Sequence, residues 1–143
     1  MSNKKLTPQD YIHKSIIEDV LGCGDDITID CELTLENASE IYNNPEEYFA
    51  GTDYPSDYIY ESTQEYRYCG EECNISPKSY SRHYEVDYVV KEIDGKWVGW
   101  NYWYGGGKFG EPEAIDWIGD AEFVKVQSEE VVTIVKRTFM REE

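Results

Sequence analysis

Residues 84–104 read YEVDYVVKEIDGKWVGWNYWY, and the fold is decided here. Two runs rich in Val, Ile, Tyr and Trp flank Asp94-Gly95, a dipeptide that accepts the positive φ angles of a tight hairpin turn. The spacing predicts an antiparallel hairpin. Downstream, AEFVKVQ (121–127) and VVTIVKRTF (131–139) repeat the pattern, which predicts a second hairpin joined around Ser128–Glu130. Upstream, Thr7-Pro8-Gln9-Asp10 is a helix start, with Thr7 as N-cap and Pro8 in the first turn. Ile12, Ile16, Ile17, Val20 and Leu21 follow at helical spacing, and Gly22 stops them. Asp26 to Thr34 alternates as a half-buried strand does, with Ile27, Ile29, Cys31 and Leu33 facing inward. Residues 35–50 suggest one or two short helices, the second opened by Pro45. Residues 51–81 read as loop, with one strand near Tyr58–Tyr68. The class expected is α+β: an antiparallel sheet of about five strands, made by the two C-terminal hairpins over 83–139. An N-terminal amphipathic helix and short helices complete it, in a single domain over 1–143.

The chain of 143 residues carries a net charge of −17, placed unevenly. Residues 18–72 hold sixteen carboxylates against one base, Arg67, a balance of −15. Such a density repels itself and costs stability, so an interaction that uses it is expected. Tyr42, Tyr48, Tyr54, Tyr58, Tyr60, Tyr66 and Tyr68 interleave with the acids, and tyrosine is a favoured interface residue. The candidate partner-binding residues are Asp25, Asp26, Asp30, Glu32, Glu36, Glu40, Glu46, Glu47, Asp53, Asp57, Tyr58, Tyr60, Glu61 and Glu65. A face of this kind mimics duplex DNA, which presents one negative charge per roughly 1.7 Å of axis.

Four cysteines, Cys23, Cys31, Cys69 and Cys73, are spaced C-x7-C and C-x3-C, unlike common zinc ribbons. Free buried thiols and no metal are expected, and no cofactor is. The opening MSNKKLTPQD lacks an apolar run, and no stretch approaches the roughly 20 apolar residues of a membrane span. A cytoplasmic protein without membrane contact is expected. His13 lies beside the apolar stripe of the first helix and reads as structural. Neither it nor His83 joins a nucleophile motif, so no enzyme is predicted.

Gly105-Gly106-Gly107-Lys108 lacks P-loop spacing and follows a hairpin strand. Its glycines suit a chain leaving a sheet with positive φ, after which Pro112 starts one helical turn ending near Trp117. Aromatic residues crowd beside it on both faces of the strand. An alternative ligand pocket of Trp100, Tyr102, Tyr104, Gly106, Lys108 and Phe109 would hold a nucleotide signal. The longer stretch WVGWNYWYGGGKFGEPEAIDW (97–117) resembles a motif of small uncharacterised phage and prophage proteins. That resemblance implies a mobile-element accessory protein, a class that often inhibits host defence enzymes, and it carries over no functional residue.

The reading is a phage-type inhibitor of a nucleic-acid-handling host enzyme, a restriction or CRISPR-like nuclease, acting through DNA mimicry in the host cytoplasm. Its partner is a host protein with a basic nucleic-acid-binding groove, not nucleic acid itself, and a homodimer is compatible with it. The alternatives are the nucleotide-signal binder and an immunity protein against a basic toxin nuclease.

Overall fold

The computed structural model describes residues 5–24, 26–77 and 79–142. Its first helix, α1 (Pro8–Leu21), starts on a capping box. The Asp10 amide donates to Thr7 Oγ1, and the Thr7 amide donates to Asp10 Oδ2 at 2.9 Å. Two donors that a helix start would otherwise leave open are thereby satisfied. Asp10 also accepts from Ser39 Oγ at 2.6 Å, which joins the cap to the next helix.

The chain then runs β1 (Thr28–Ile29), α2 (Ala38–Asn43), α3 (Pro45–Tyr48), β2 (Phe49–Ala50) and α4 (Pro55–Tyr66). It continues through β3 (Glu71–Glu72), β4 (Glu85–Ile93), β5 (Lys96–Tyr104), a 3-10 turn (Pro112–Ala114) and β6 (Glu122–Val124). β1 and β2 pair as a small antiparallel ribbon. The main sheet is antiparallel, in the order β3-β4-β5-β6. The architecture is therefore α+β.

The β4–β5 hairpin pairs Ile93 with Lys96 at its turn and Glu85 with Tyr104 at its far end. Asp94 and Gly95 have φ of 48° and 82°, the left-handed pair that the dipeptide predicts. Residues facing one another across the register share a face. Val89, Ile93, Val98 and Trp100 lie on the face toward the helices and are buried there. Tyr88, Val90, Gly99, Asn101 and Trp103 lie on the opposite face and are buried as well.

Helix α1 serves two apolar clusters. Tyr11, Ile12 and Ile16 pack with Tyr66, Val89, Ile93, Val98, Trp100 and Trp117. Ile17 and Val20 pack with Ile27, Ala38, Ile41 and Ile59. Each fully buried isoleucine contributes about 1.5–3 kcal/mol relative to an exposed one. Trp100 and Trp117 meet at 5.2 Å between centroids, and Tyr66 stacks on Trp117 at 6.2 Å.

Four expectations are corrected. The segment near Tyr58–Tyr68 is mostly the helix α4, not loop and strand. Pro55 sets its first turn, and Ile59, Ser62, Thr63 and Tyr66 recur at helical spacing on its buried side. The strand read over Asp26–Thr34 has only two paired residues, and Cys31 is exposed. An Asn37 turn takes over there, its side chain accepting from the Thr34 amide and donating to the Glu32 carbonyl. The second C-terminal hairpin does not form. β6 ends at Val124, and residues 125–142 have no regular structure. The sheet thus has four strands, with two more in the separate ribbon. The thiols, expected to be buried, are not: Cys23, Cys31 and Cys69 are exposed and Cys73 is half-buried.

Gly51 has φ of 86°, and a Cβ there would run into the Asp26 carbonyl group. Gly95 also has positive φ, but nothing lies within 4 Å of a Cβ added to it. Gly95→Ala should cost about 1–2 kcal/mol through left-handed strain alone. Gly51→Ala should cost at least about 3 kcal/mol, since β1 and β2 must separate. Urea melts of the two variants check this ordering.

Candidate functional site

The acidic surface is built by the helical half. α4 carries Asp57, Glu61 and Glu65 four residues apart, which sets them in a row about 6 Å from one to the next. All three are exposed, as are Asp26, Asp30, Glu32, Glu36, Glu40, Glu46, Glu47 and Asp53. Asp25 lies outside the described residues.

One link joins the row to α3. Ser56 Oγ, at the start of α4, donates to Glu46 Oε1 at 2.7 Å, so α3 sits against the head of the row. The neighbouring Glu47 belongs to a second group around the Tyr48 phenol. That phenol is pushed above its ordinary range, first by desolvation and then by Glu40, Glu47, Cys31 and Asp30. The Asp30 amide also donates to the Tyr48 carbonyl at 3.1 Å. Asp26 stands at the ribbon, its carbonyl against Gly51, while Glu32 and Glu36 flank the Asn37 turn.

Among the described residues the ion pairs are Lys14–Glu18 at 2.8 Å and Lys14–Asp94 at 2.9 Å. Neither involves a carboxylate of α3 or α4. The acids of α3 and α4 are exposed to solvent.

Arg67, the lone base of the acidic stretch, is turned inward. It is buried, donates from Nη1 to the Trp103 carbonyl at 3.1 Å and from Nη2 to Tyr68 Oη at 3.0 Å. Its guanidinium lies over the rings of Tyr68 and Tyr102, at 5.0 and 5.5 Å. It clamps α4 to β5 and leaves the acidic face without a counter-charge of its own. The sequence held one signal of this role, a single base set between tyrosines.

Of the interface tyrosines, Tyr60 is exposed beside the row and Tyr58 is half-buried against the second apolar cluster. The residues of the alternative pocket are not brought together. Trp100 is fully buried under the helices, while Gly106, Lys108 and Phe109 stand in solvent, Lys108 Nζ lying 5.7 Å from the Phe109 ring centre. Tyr102 and Tyr104 stack on each other at 5.4 Å, half-buried, and Tyr102 borders a cavity of about 270 Å³ shared with Arg67 and Tyr68.

His13 belongs to the scaffold. Its Nδ1 lies 2.9 Å from Ser39 Oγ, and its ring stacks on Tyr42 at 3.9 Å. Because the Ser39 proton goes to Asp10, His13 Nδ1 is the donor in that contact. Among the described residues no group of three or more His, Cys, Asp or Glu side chains is placed to hold a metal, and no helix is long and apolar enough to cross a membrane. Comparison with protein-family models, curated protein sequences and solved structures returned no match to this chain.

Burial raises the phenol of Tyr66, and burial followed by Glu122 raises that of Tyr88. A phenol raised in the folded state loses its proton first in the unfolded chain. Stability is therefore complete below the ordinary tyrosine range and falls as pH rises from about 10. Urea melts between pH 8 and 12 should show this decline, and Tyr88→Phe should make it shallower.

Proposed function

We propose that the protein is a DNA-mimicking inhibitor, of the phage type, directed at a nucleic-acid-handling defence enzyme of the host. The observation that carries this reading is the exposed row of Asp57, Glu61 and Glu65 on α4, joined at its head to α3 by the Ser56–Glu46 hydrogen bond. Carboxylates at about 6 Å intervals on a rigid helix give a groove lined with Lys and Arg a substitute for a phosphate strand. Arg67 supports the reading, because its burial keeps the stretch's single positive charge away from that face. Docking would release the counterions held by both surfaces, which favours association at low salt. Tyr60 and Tyr68, both exposed near the row, add contact area that phosphates lack. The enzyme's own chemistry plays no part in this protein's action: occupancy of the groove excludes DNA.

The test replaces Asp57 by Asn and Glu61 and Glu65 by Gln, keeping shape while removing three charges. A second variant does the same at Asp30, Glu40 and Glu47. Against a panel of restriction and CRISPR-type nucleases, the native protein should inhibit at least one, compete with DNA for it, and weaken as salt rises from about 50 to 500 mM. Each triple variant should bind that enzyme about 10-fold or more weakly while melting at the same or a higher temperature. Inhibition that both variants retain, or that ignores salt, would sink the reading.

A further inference from the structure

Residues 131–141, VVTIVKRTFMR, concentrate apolar side chains in solvent: Val131 is 98% exposed, Ile134 77% and Phe139 88%. Their β-branched and aromatic content is that of a strand, which would set Val131, Thr133, Val135 and Phe139 on one side and Val132, Ile134 and Met140 on the other. Apolar residues on both sides suit a strand that is covered on both faces. In its own chain this segment is covered on neither.

Two features of the same chain accept such a strand. β6 is the last strand of the sheet, so its outer edge has no strand partner. Beside it, on the sheet face turned away from the helices, lies a groove of about 350 Å³ containing Val90, Trp97 and Val124, flanked by Ile75 and Val126. For the segment to reach its own β6 the chain would have to reverse between Lys125 and Glu130. No turn and no backbone hydrogen bond reverses it there; Lys125 to Ser128 instead line the groove and lead the chain onward.

We propose that two copies of the protein exchange this segment, residues 131–139 of each adding as a strand to the outer edge of β6 in the other and covering its groove. Charge favours a second copy as the occupant. Residues 131–141 carry Lys136, Arg137 and Arg141 and no acid, whereas the whole chain stands at −17. The segment is therefore attracted to the body of any other copy, while two bodies without it repel. An exchange about a two-fold axis satisfies both edges at once and closes at two chains.

Sedimentation equilibrium of the full chain, with hydrogen exchange on the same samples, tests this. The expected result is twice the 16.7 kDa of one chain, with amides of 131–139 protected and that protection lost on dilution. The double variant Ile134→Asp, Val135→Asp should weaken the dimer about 100-fold or more, with the melting of the separated body unchanged. A chain lacking residues 129–143 should be monomeric and folded. A native monomer at about 100 μM overturns the proposal, whether its segment is unprotected or is protected independently of concentration, as folding onto its own sheet requires. Protection that appears only with lipid vesicles or with a different protein overturns it too, as does a dimer that survives the truncation.

Discussion

Everything in this molecule hangs on α1 being buried on two sides. Ile12 and Ile16 pack in the cluster with the sheet, and Ile17 and Val20 pack in the cluster with α2, α4 and the ribbon. Neither half has a closed core without the helix. The sheet face under Trp100 and Val98 would be open to water, and the short helices α2 and α3 are too brief to hold shape alone. The start of α1 is accordingly secured in several ways. The capping box fixes its first turn, Ser39 ties the cap to α2, and Gln9 donates to the Ile118 carbonyl at 2.9 Å.

That arrangement separates two kinds of surface. Acidic residues cluster on the elements that α1 holds on its second side, while aromatic mass collects on the sheet. Repulsion among the carboxylates is then borne by packing several ångströms behind them, in Ile41, Ile59 and Val20, and not by local neutralisation. Tyr66 and Arg67 bridge the halves. Tyr66 reaches Ser15 Oγ at 2.7 Å and stacks with Trp117, and the Arg67 carbonyl accepts from Trp100 Nε1 at 3.4 Å. The end of α4 is therefore pinned to the sheet, which holds the outward row of acids rigid.

The elements that could be read in sequence were those fixed by local chemistry. Thr7-Pro8 and Asp10 announce a helix whatever surrounds them, and Asp94-Gly95 between alternating runs announces a hairpin. Pro45 and Pro112 opened a short helix and a single turn where the sequence placed them. Misreadings came where tertiary context decides. Tyrosine favours strands, yet Tyr58, Tyr60 and Tyr66 sit on a helix because Ile59, Thr63 and Tyr66 find a core at helical spacing. Residues 131–139 have strand propensity without a neighbour in their own chain, and propensity alone does not make a ladder. The acidity of the surface was plain from composition. Its continuity from α3 to α4 was not, because it depends on the Ser56–Glu46 contact.

The placement of the thiols has a chemical consequence. Desolvation and then Asp30 push the Cys31 thiol upward, and desolvation does the same to Cys69 in spite of Lys91 nearby. Thiolate is the form that attacks peroxide or a disulfide, and an upward shift lowers its share at both sulfurs. At Cys31 the neighbouring carboxylate adds to the desolvation that disfavours thiolate, and at Cys69 desolvation outweighs the pull of Lys91.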